Sequence, residues 1–277
     1  HRPPVWFMRQ AGRILPSYQA LKKMHSFSEL MNSPELAAKV TLLPINDLGV
    51  DAAILFSDIL IVPEALGMGL EFTEKGPIFS KPLTQFERPS QELIIDRSKL
   101  THVYDNIDKI IKIRNENTPL IGFCGGPLTT FCFMFRGHVR DVTFNDAIKF
   151  MYSSPKESKR IIDSLTELSI EYALNQIKHG IDCFQLFETY GGLIPEDMYK
   201  ELMLPASKRI LNAVMEKGIP TIYFPKNFGG GLKHINKDIC DFVSIDWQTP
   251  IKSARALVDK SVGLQGNIDP RLLYADE

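Results

Sequence analysis

Short apolar runs alternate along this chain with longer stretches whose apolar positions recur every three or four residues. The runs are Val5–Met8, Asp51–Phe56, Pro119–Phe123, Cys183–Phe187, Thr221–Phe224, Phe242–Ile245 and Val262–Gln265. Each is short and rich in β-branched or aromatic side chains, so each predicts a strand. Helical sequence fills the spaces: Ser17–Lys23, Lys99–Glu116, Thr143–Met151, Pro155–Lys178, Pro195–Lys217 and Pro250–Asp259. Ser33-Pro34-Glu35 reads as a helix start with Pro in its first turn, leading into Leu36–Leu48. In Pro155–Lys178 the stripe Ile161, Ile162, Leu165, Leu168 and Tyr172 has the spacing of one buried helix face. Leu70–Leu83 alternates instead and turns at Lys75-Gly76-Pro77, which predicts a small hairpin.

Strands separated by helices imply a parallel sheet of the α/β class. Seven such units are present, and Leu272–Glu277 looks like the opening of another helix. An eighth unit is therefore expected just beyond the end, giving a (β/α)8 barrel. No linker, low-complexity tract, charge block or short repeat divides residues 1–277, so one domain is expected. The chain opens on His1-Arg2-Pro3 without a Met, and it reads as lacking residues at both ends. The missing targeting segment is then uninformative.

Composition changes this picture only by exclusion. Lys+Arg 32 against Asp+Glu 33 leaves a net charge of -1. Such balance argues against a nucleic-acid or membrane-surface partner, so any anion site must be local. No apolar run reaches the ~18 residues of a membrane span. Cys124, Cys132, Cys183 and Cys240 form neither a C-x-x-C nor an H-x-C pair. They read as buried thiols in a reducing compartment, with no metal site or disulfide framework.

In such barrels chemistry sits at the carboxyl ends of the strands. Those positions hold Arg9 and Arg13, then Ser57-Asp58, then Cys124-Gly125-Gly126-Pro127. Glu188, Thr189, Tyr190 and Gly191-Gly192 follow the fourth run, and Lys226, Asn227 and Gly229-Gly230-Gly231 the fifth. Asp246, Asn267 and Asp269 complete the set. Two guanidiniums in five residues make a concentrated anion site, and Gly12 between them allows a bend or a close approach. Plain structural readings stand beside the chemical ones. Asp58 suits a helix cap, Glu188 can accept backbone donors, and Asp246 and Asp269 suit loop or cap positions. The three glycines match neither phosphate-loop pattern, and the six histidines are scattered.

Pro4–Arg13 followed by Leu15-Pro16 resembles the N-terminal signature of the uroporphyrinogen decarboxylases, and Asp51–Leu60 resembles their second signature. Gly122-Phe123, Leu186-Phe187-Glu188, Asp246-Trp247 and Leu264–Pro270 are similar to family stretches in the same order. The resemblance runs from residue 3 to 277. It implies a (β/α)8 barrel that converts uroporphyrinogen to coproporphyrinogen by removing four acetate carboxyls, with no cofactor and no metal. The electron sink would be a pyrrole of the substrate itself, protonated on carbon. Matched residue by residue, Arg9, Gln10, Ala11, Gly12, Arg13, Asp58, Phe133 and Thr189 would bind substrate, with the two arginines on its carboxylates. Asp58 would gather the pyrrole N–H groups and stabilise positive charge. Asp58, Arg9 and Arg13 are the catalytic candidates, with Arg9 the candidate general acid.

There are departures. The family's active-site tyrosine, along Gly122–Gly137, falls on Phe133 and loses its phenol. The family's serine falls on Thr189, and the Tyr190 that follows could supply a phenol instead. The family's C-terminal histidine falls past Glu277. The resemblance also implies a homodimer acting on a tetrapyrrole in the cytoplasm, or in a plastid. Three other readings compete. A corrinoid or thiol methyltransferase of the same superfamily would need a zinc-binding His/Cys cluster, whose spacing is not found. A barrel glycosidase would pair Asp58, Glu188 or Asp246 as acid and base. A non-catalytic tetrapyrrole-binding paralogue would account for Phe133.

Overall fold

The computed structural model describes residues 2–73, 76–136 and 143–275. Lys75 of the expected turn, Gly137 of the Gly122–Gly137 motif, and the terminal residues His1, Asp276 and Glu277 lie outside them. Eight strands occur among the described residues: β1 (Ala53–Ile54), β2 (Leu70–Thr73), β3 (Gly76–Phe79), β4 (Leu120–Gly125), β5 (Cys183–Glu188), β6 (Thr221–Pro225), β7 (Phe242–Ser244) and β8 (Gly263–Gln265). Six form one sheet in the order β1-β4-β5-β6-β7-β8, and every pairing in it is parallel. β2 and β3 form the expected antiparallel hairpin.

Gly122 fixes which face of the sheet is which. A Cβ there would lie 2.5 Å from Gln176 Oε1, on the helix Pro155–His179. Even positions of β4 therefore meet the helix layer, and Phe123 points to the opposite, inner face. Gln176 is fully buried yet satisfied, because it accepts from Phe123 N at 3.1 Å and donates to Phe123 O at 2.9 Å. The helix itself buries the expected stripe Ile161, Ile162, Leu165, Leu168 and Tyr172, and ends at Gly180 with φ 107.

Two expectations are corrected. Val5–Met8 is not a strand, although it runs beside β1. Val5 N donates to Asp51 Oδ2 at 2.6 Å and Val5 O accepts from Asp51 N at 2.8 Å. Phe7 N and Ala52 O are bonded instead to the Gln10 side chain, at 3.0 and 2.9 Å, so no backbone ladder forms past Val5. The sheet consequently has six strands rather than seven, and strand pairing does not close it among the described residues. Its two edges are still joined: Trp6 Nε1 donates to Gln265 Oε1 on β8 at 3.0 Å. Secondly, the helix expected over Pro195–Lys217 is interrupted. Glu196–Met198 passes through a widened turn at Tyr199–Met203 into Leu204–Met215. Pro205 cannot donate the regular bond back to Glu201, which accounts for the widening. At the other end, the expected helix opening is a short 3-10 turn, Pro270–Tyr274.

Candidate active site

The carboxyl ends of the strands gather a mouth over an aromatic floor. Phe123, Phe187 and Phe224 lie on β4, β5 and β6 and pack edge to face. Their centroids are 5.4 Å apart for Phe123–Phe187 and 6.3 Å for Phe187–Phe224. Such rings offer faces to a flat heterocycle.

Asp58 stands at the rim, four residues past β1, and is half-buried. Its Oδ1 accepts from Leu60 N at 2.8 Å, so it does start the turn before the helix Ile61–Ala65. That bond leaves its other oxygen uncommitted to donors among the described residues. Burial pushes the carboxyl above its ordinary range, against the pull of the Leu60 amide and of the Arg9 guanidinium. Gly125 makes this placement possible, since a Cβ on it would come within 2.9 Å of Ile59 O.

Arg9 is exposed and holds a left-handed backbone, φ 61. That conformation is rare for a side chain with Cβ and must be held by its surroundings. Two ties do this. Gln10 is 2% exposed and turns inward, its Oε1 accepting from Phe7 N at 3.0 Å and its Nε2 donating to Ala52 O at 2.9 Å. Gly12 lies tight against the same turn, where a Cβ would sit 3.0 Å from Arg9 O. Ala11 packs half-buried on the core. The side chain of Gln10 is thus committed to the scaffold, and the turn presents Arg9 to the mouth. Arg13 is exposed and lines an open groove with Gln19, Lys23 and Met24 of the helix Pro16–Met24.

The opposite wall comes from β5 and the helix Pro127–Phe135. Glu188 ends β5, is wholly buried, and accepts from Leu128 N at 3.0 Å, Thr129 N at 2.7 Å and the Thr129 hydroxyl. It fastens the helix N-terminus, as an acceptor there should. Burial raises its carboxyl to about 7, against the Thr129 hydroxyl, the two amides and Tyr199. Gly126 leaves the room, because a Cβ would lie 2.6 Å from Glu188 Oε2. Thr189 is half-buried in the turn after β5. Asp246 and Asp269 take the structural roles: Asp246 accepts from Asn227 N at 2.8 Å and Gln248 N at 3.0 Å, and Asp269 from Arg271 N at 2.9 Å.

Phe133 sits half-buried near the end of that helix, 5.5 Å from the Phe144 ring and 6.0 Å from Tyr190. The Arg136 guanidinium stacks over it at 4.3 Å and donates to Pro77 O of the hairpin at 3.0 Å. Arg136, Phe144 and the three floor rings were not singled out from sequence. Arg136 lies one turn past Phe133, so helical spacing alone puts both on one face. Asp58, Arg9, Tyr190 and Phe133 are therefore brought together, while Arg13 faces its own groove.

A parallel α/β sheet backed by helices, with polar side chains at the carboxyl ends of its strands, defines the (β/α)8 class. The chain matches the sequence model of the uroporphyrinogen decarboxylase (URO-D) family over residues 1–277, and it belongs to that family. A uroporphyrinogen decarboxylase of Geobacter metallireducens is 37% identical over 275 residues, 99% of this chain and 80% of that protein. That of Hydrogenovibrio crunogenus is 40% identical over 98% of this chain and 78% of its own length. Among solved structures, a methyltransferase from Methanosarcina mazei has TM-score 0.68 at 19% identity, covering 87% of this chain and 71% of that one. A B12-independent methionine synthase from Shewanella sp. W3-18-1 has TM-score 0.55 at 12% identity, over 87% of this chain and 81% of that one. At these identities the likeness concerns the fold alone. No helix among the described residues is long and apolar enough to cross a membrane.

Proposed function

We propose that this protein decarboxylates the four acetate side chains of uroporphyrinogen III to give coproporphyrinogen III. The observation that carries the reading is one carboxylate, Asp58, past the end of β1, with an oxygen uncommitted among the described residues and a guanidinium within electrostatic reach. Four pyrrole N–H groups of a folded tetrapyrrole converge on such an acceptor. Protonating a pyrrole carbon makes the ring cationic, and the electron pair of the departing acetate flows into it as CO2 leaves. Asp58 is fixed before the reaction and stabilises that cation, a contribution of roughly 3 kcal/mol. Arg9 holds substrate carboxylates and is the candidate proton donor, and Arg13, on its own groove, offers a second guanidinium to outlying carboxylates. Gln10 and Gly12 serve by shaping the turn under Arg9, and Thr189 offers a hydroxyl in the turn after β5.

The test is anaerobic turnover of uroporphyrinogen III, followed as stepwise loss of CO2, for the wild type and Asp58→Asn. Activity in the wild type, reduced at least 100-fold in the variant, is expected. Binding without CO2 release by the wild type would defeat the reading. We further propose a homodimer, supported by the family resemblance and checked by light scattering, and a cytoplasmic location, checked by fractionation.

A further inference from the structure

Tyr190 is held more firmly than a wall residue needs. Its amide donates to Thr129 Oγ1 at 3.1 Å, and Thr129 is itself anchored through its hydroxyl to Glu188. Tyr190 O accepts from Leu193 N at 2.9 Å, closing the turn on the other side. The ring packs edge-on against Phe144 at 4.6 Å and against Phe133 at 6.0 Å. Backbone and ring are both fixed, so the direction of the phenol is fixed as well. Yet the hydroxyl donates to no acceptor among the described residues, and the side chain is only half-buried. A tyrosine held this way presents an apolar body and a polar tip that seeks a partner.

The surroundings select that partner. Burial raises the phenol, and the charges that oppose the rise are the Arg136 and Arg9 guanidiniums. Arg136 reaches the Phe144 ring at 5.9 Å as well as the Phe133 ring at 4.3 Å, so its charge lies against both of the tyrosine's packing partners. A donor in fixed orientation beside two cations accommodates an anion. We propose that the Tyr190 phenol donates a hydrogen bond to a carboxylate of the tetrapyrrole substrate, as a binding residue beside Arg9 and Arg136. The assignment rests on the decarboxylase reading above, whose substrate carries eight carboxylates.

The experiment compares Tyr190→Phe with the wild type in anaerobic turnover of uroporphyrinogen III. The substitution keeps the ring and its packing. A bond made equally in ground and transition states affects KM and not kcat. KM is expected to rise about tenfold, the low end for a hydrogen bond to a charged group, with kcat held within about twofold. An unchanged KM overturns the assignment, and so does a loss confined to kcat. A wild type that releases no CO2 overturns the decarboxylase reading, and this assignment with it. If Tyr190→Phe lowers the melting temperature, Phe144→Leu is measured beside it. Phe144→Leu disturbs the same packing but keeps the phenol, so an equal rise in its KM assigns the effect to packing and overturns the proposal.

Discussion

Replacing Glu188 by Gln tests which of two opposed effects governs the buried wall of the site. Burial favours the neutral acid, while the Leu128 amide, the Thr129 amide and the Thr129 hydroxyl favour the carboxylate. Burial wins on balance, holding the group at about 7 in the folded protein. In an unfolded chain a glutamate titrates near ~4.3. The folded state thus keeps a proton that the unfolded state has released, and stability falls as pH rises through this window. The contribution is full below the unfolded value, declines up to about 7, and is flat above it. At about 1.36 kcal/mol per pH unit the whole loss is roughly 3–4 kcal/mol, of which about 2 kcal/mol falls between pH 5.5 and 8. Gln does not titrate and resembles the protonated acid in shape. Urea unfolding of wild type and Glu188→Gln, at matched ionic strength, cancels every other titrating group. The variant is expected to match the wild type within about 1 kcal/mol at pH 5.5 and to gain about 2 kcal/mol on it by pH 8. A difference that does not change with pH, or a wild type that gains on the variant, would refute the reasoning. The three donors would then outweigh burial.

Gly126→Ala places a Cβ 2.6 Å from Glu188 Cδ and 2.9 Å from its backbone Cα, which cannot swing away. A loss of about 3 kcal/mol in chemical denaturation is expected. Trp6→Phe removes the donor to Gln265 and should cost about 1 kcal/mol by the same measurement, with hydrogen exchange at β8 speeding up. Asp58→Asn keeps an acceptor for the Leu60 amide and removes a charge that burial disfavours. It should therefore melt no lower than the wild type at pH 8 while losing turnover, an exchange of activity for stability. A lower melting temperature would show that Arg9 and the amide outweigh the burial.

The strands read most clearly from sequence were those whose side chains are buried without exception. β4 and β6 are buried at every position, and the runs Pro119–Phe123 and Thr221–Phe224 mark them closely. Val5–Met8 has the same look and failed as a strand for a reason two residues downstream, the Gln10 side chain that takes the Phe7 amide and the Ala52 carbonyl. The polar residues at strand ends were also legible, because a barrel rule selects them by position. What each of them does was not. Glu188 and Asp58 are both carboxylates at strand ends, yet one is tied by three donors within the wall and the other by a single amide among the described residues. That difference depends on which helix N-terminus lies opposite, a matter of packing. Arg136 escaped notice because its place depends on ring stacking between a helix and a separate loop.

The bond between Trp6 and Gln265 joins residues 259 apart in the chain. Contacts of such separation are the last that a growing chain can make. The turn that presents Arg9 is made well before β8, and Asp51 and Ala52 follow soon enough to bind Val5 and Gln10. Its fastening to the far edge of the sheet must wait until Gln265 has been made. Throughout most of synthesis the turn that carries Arg9 is therefore anchored on one side only, and the mouth takes its final width as one of the closing events of folding.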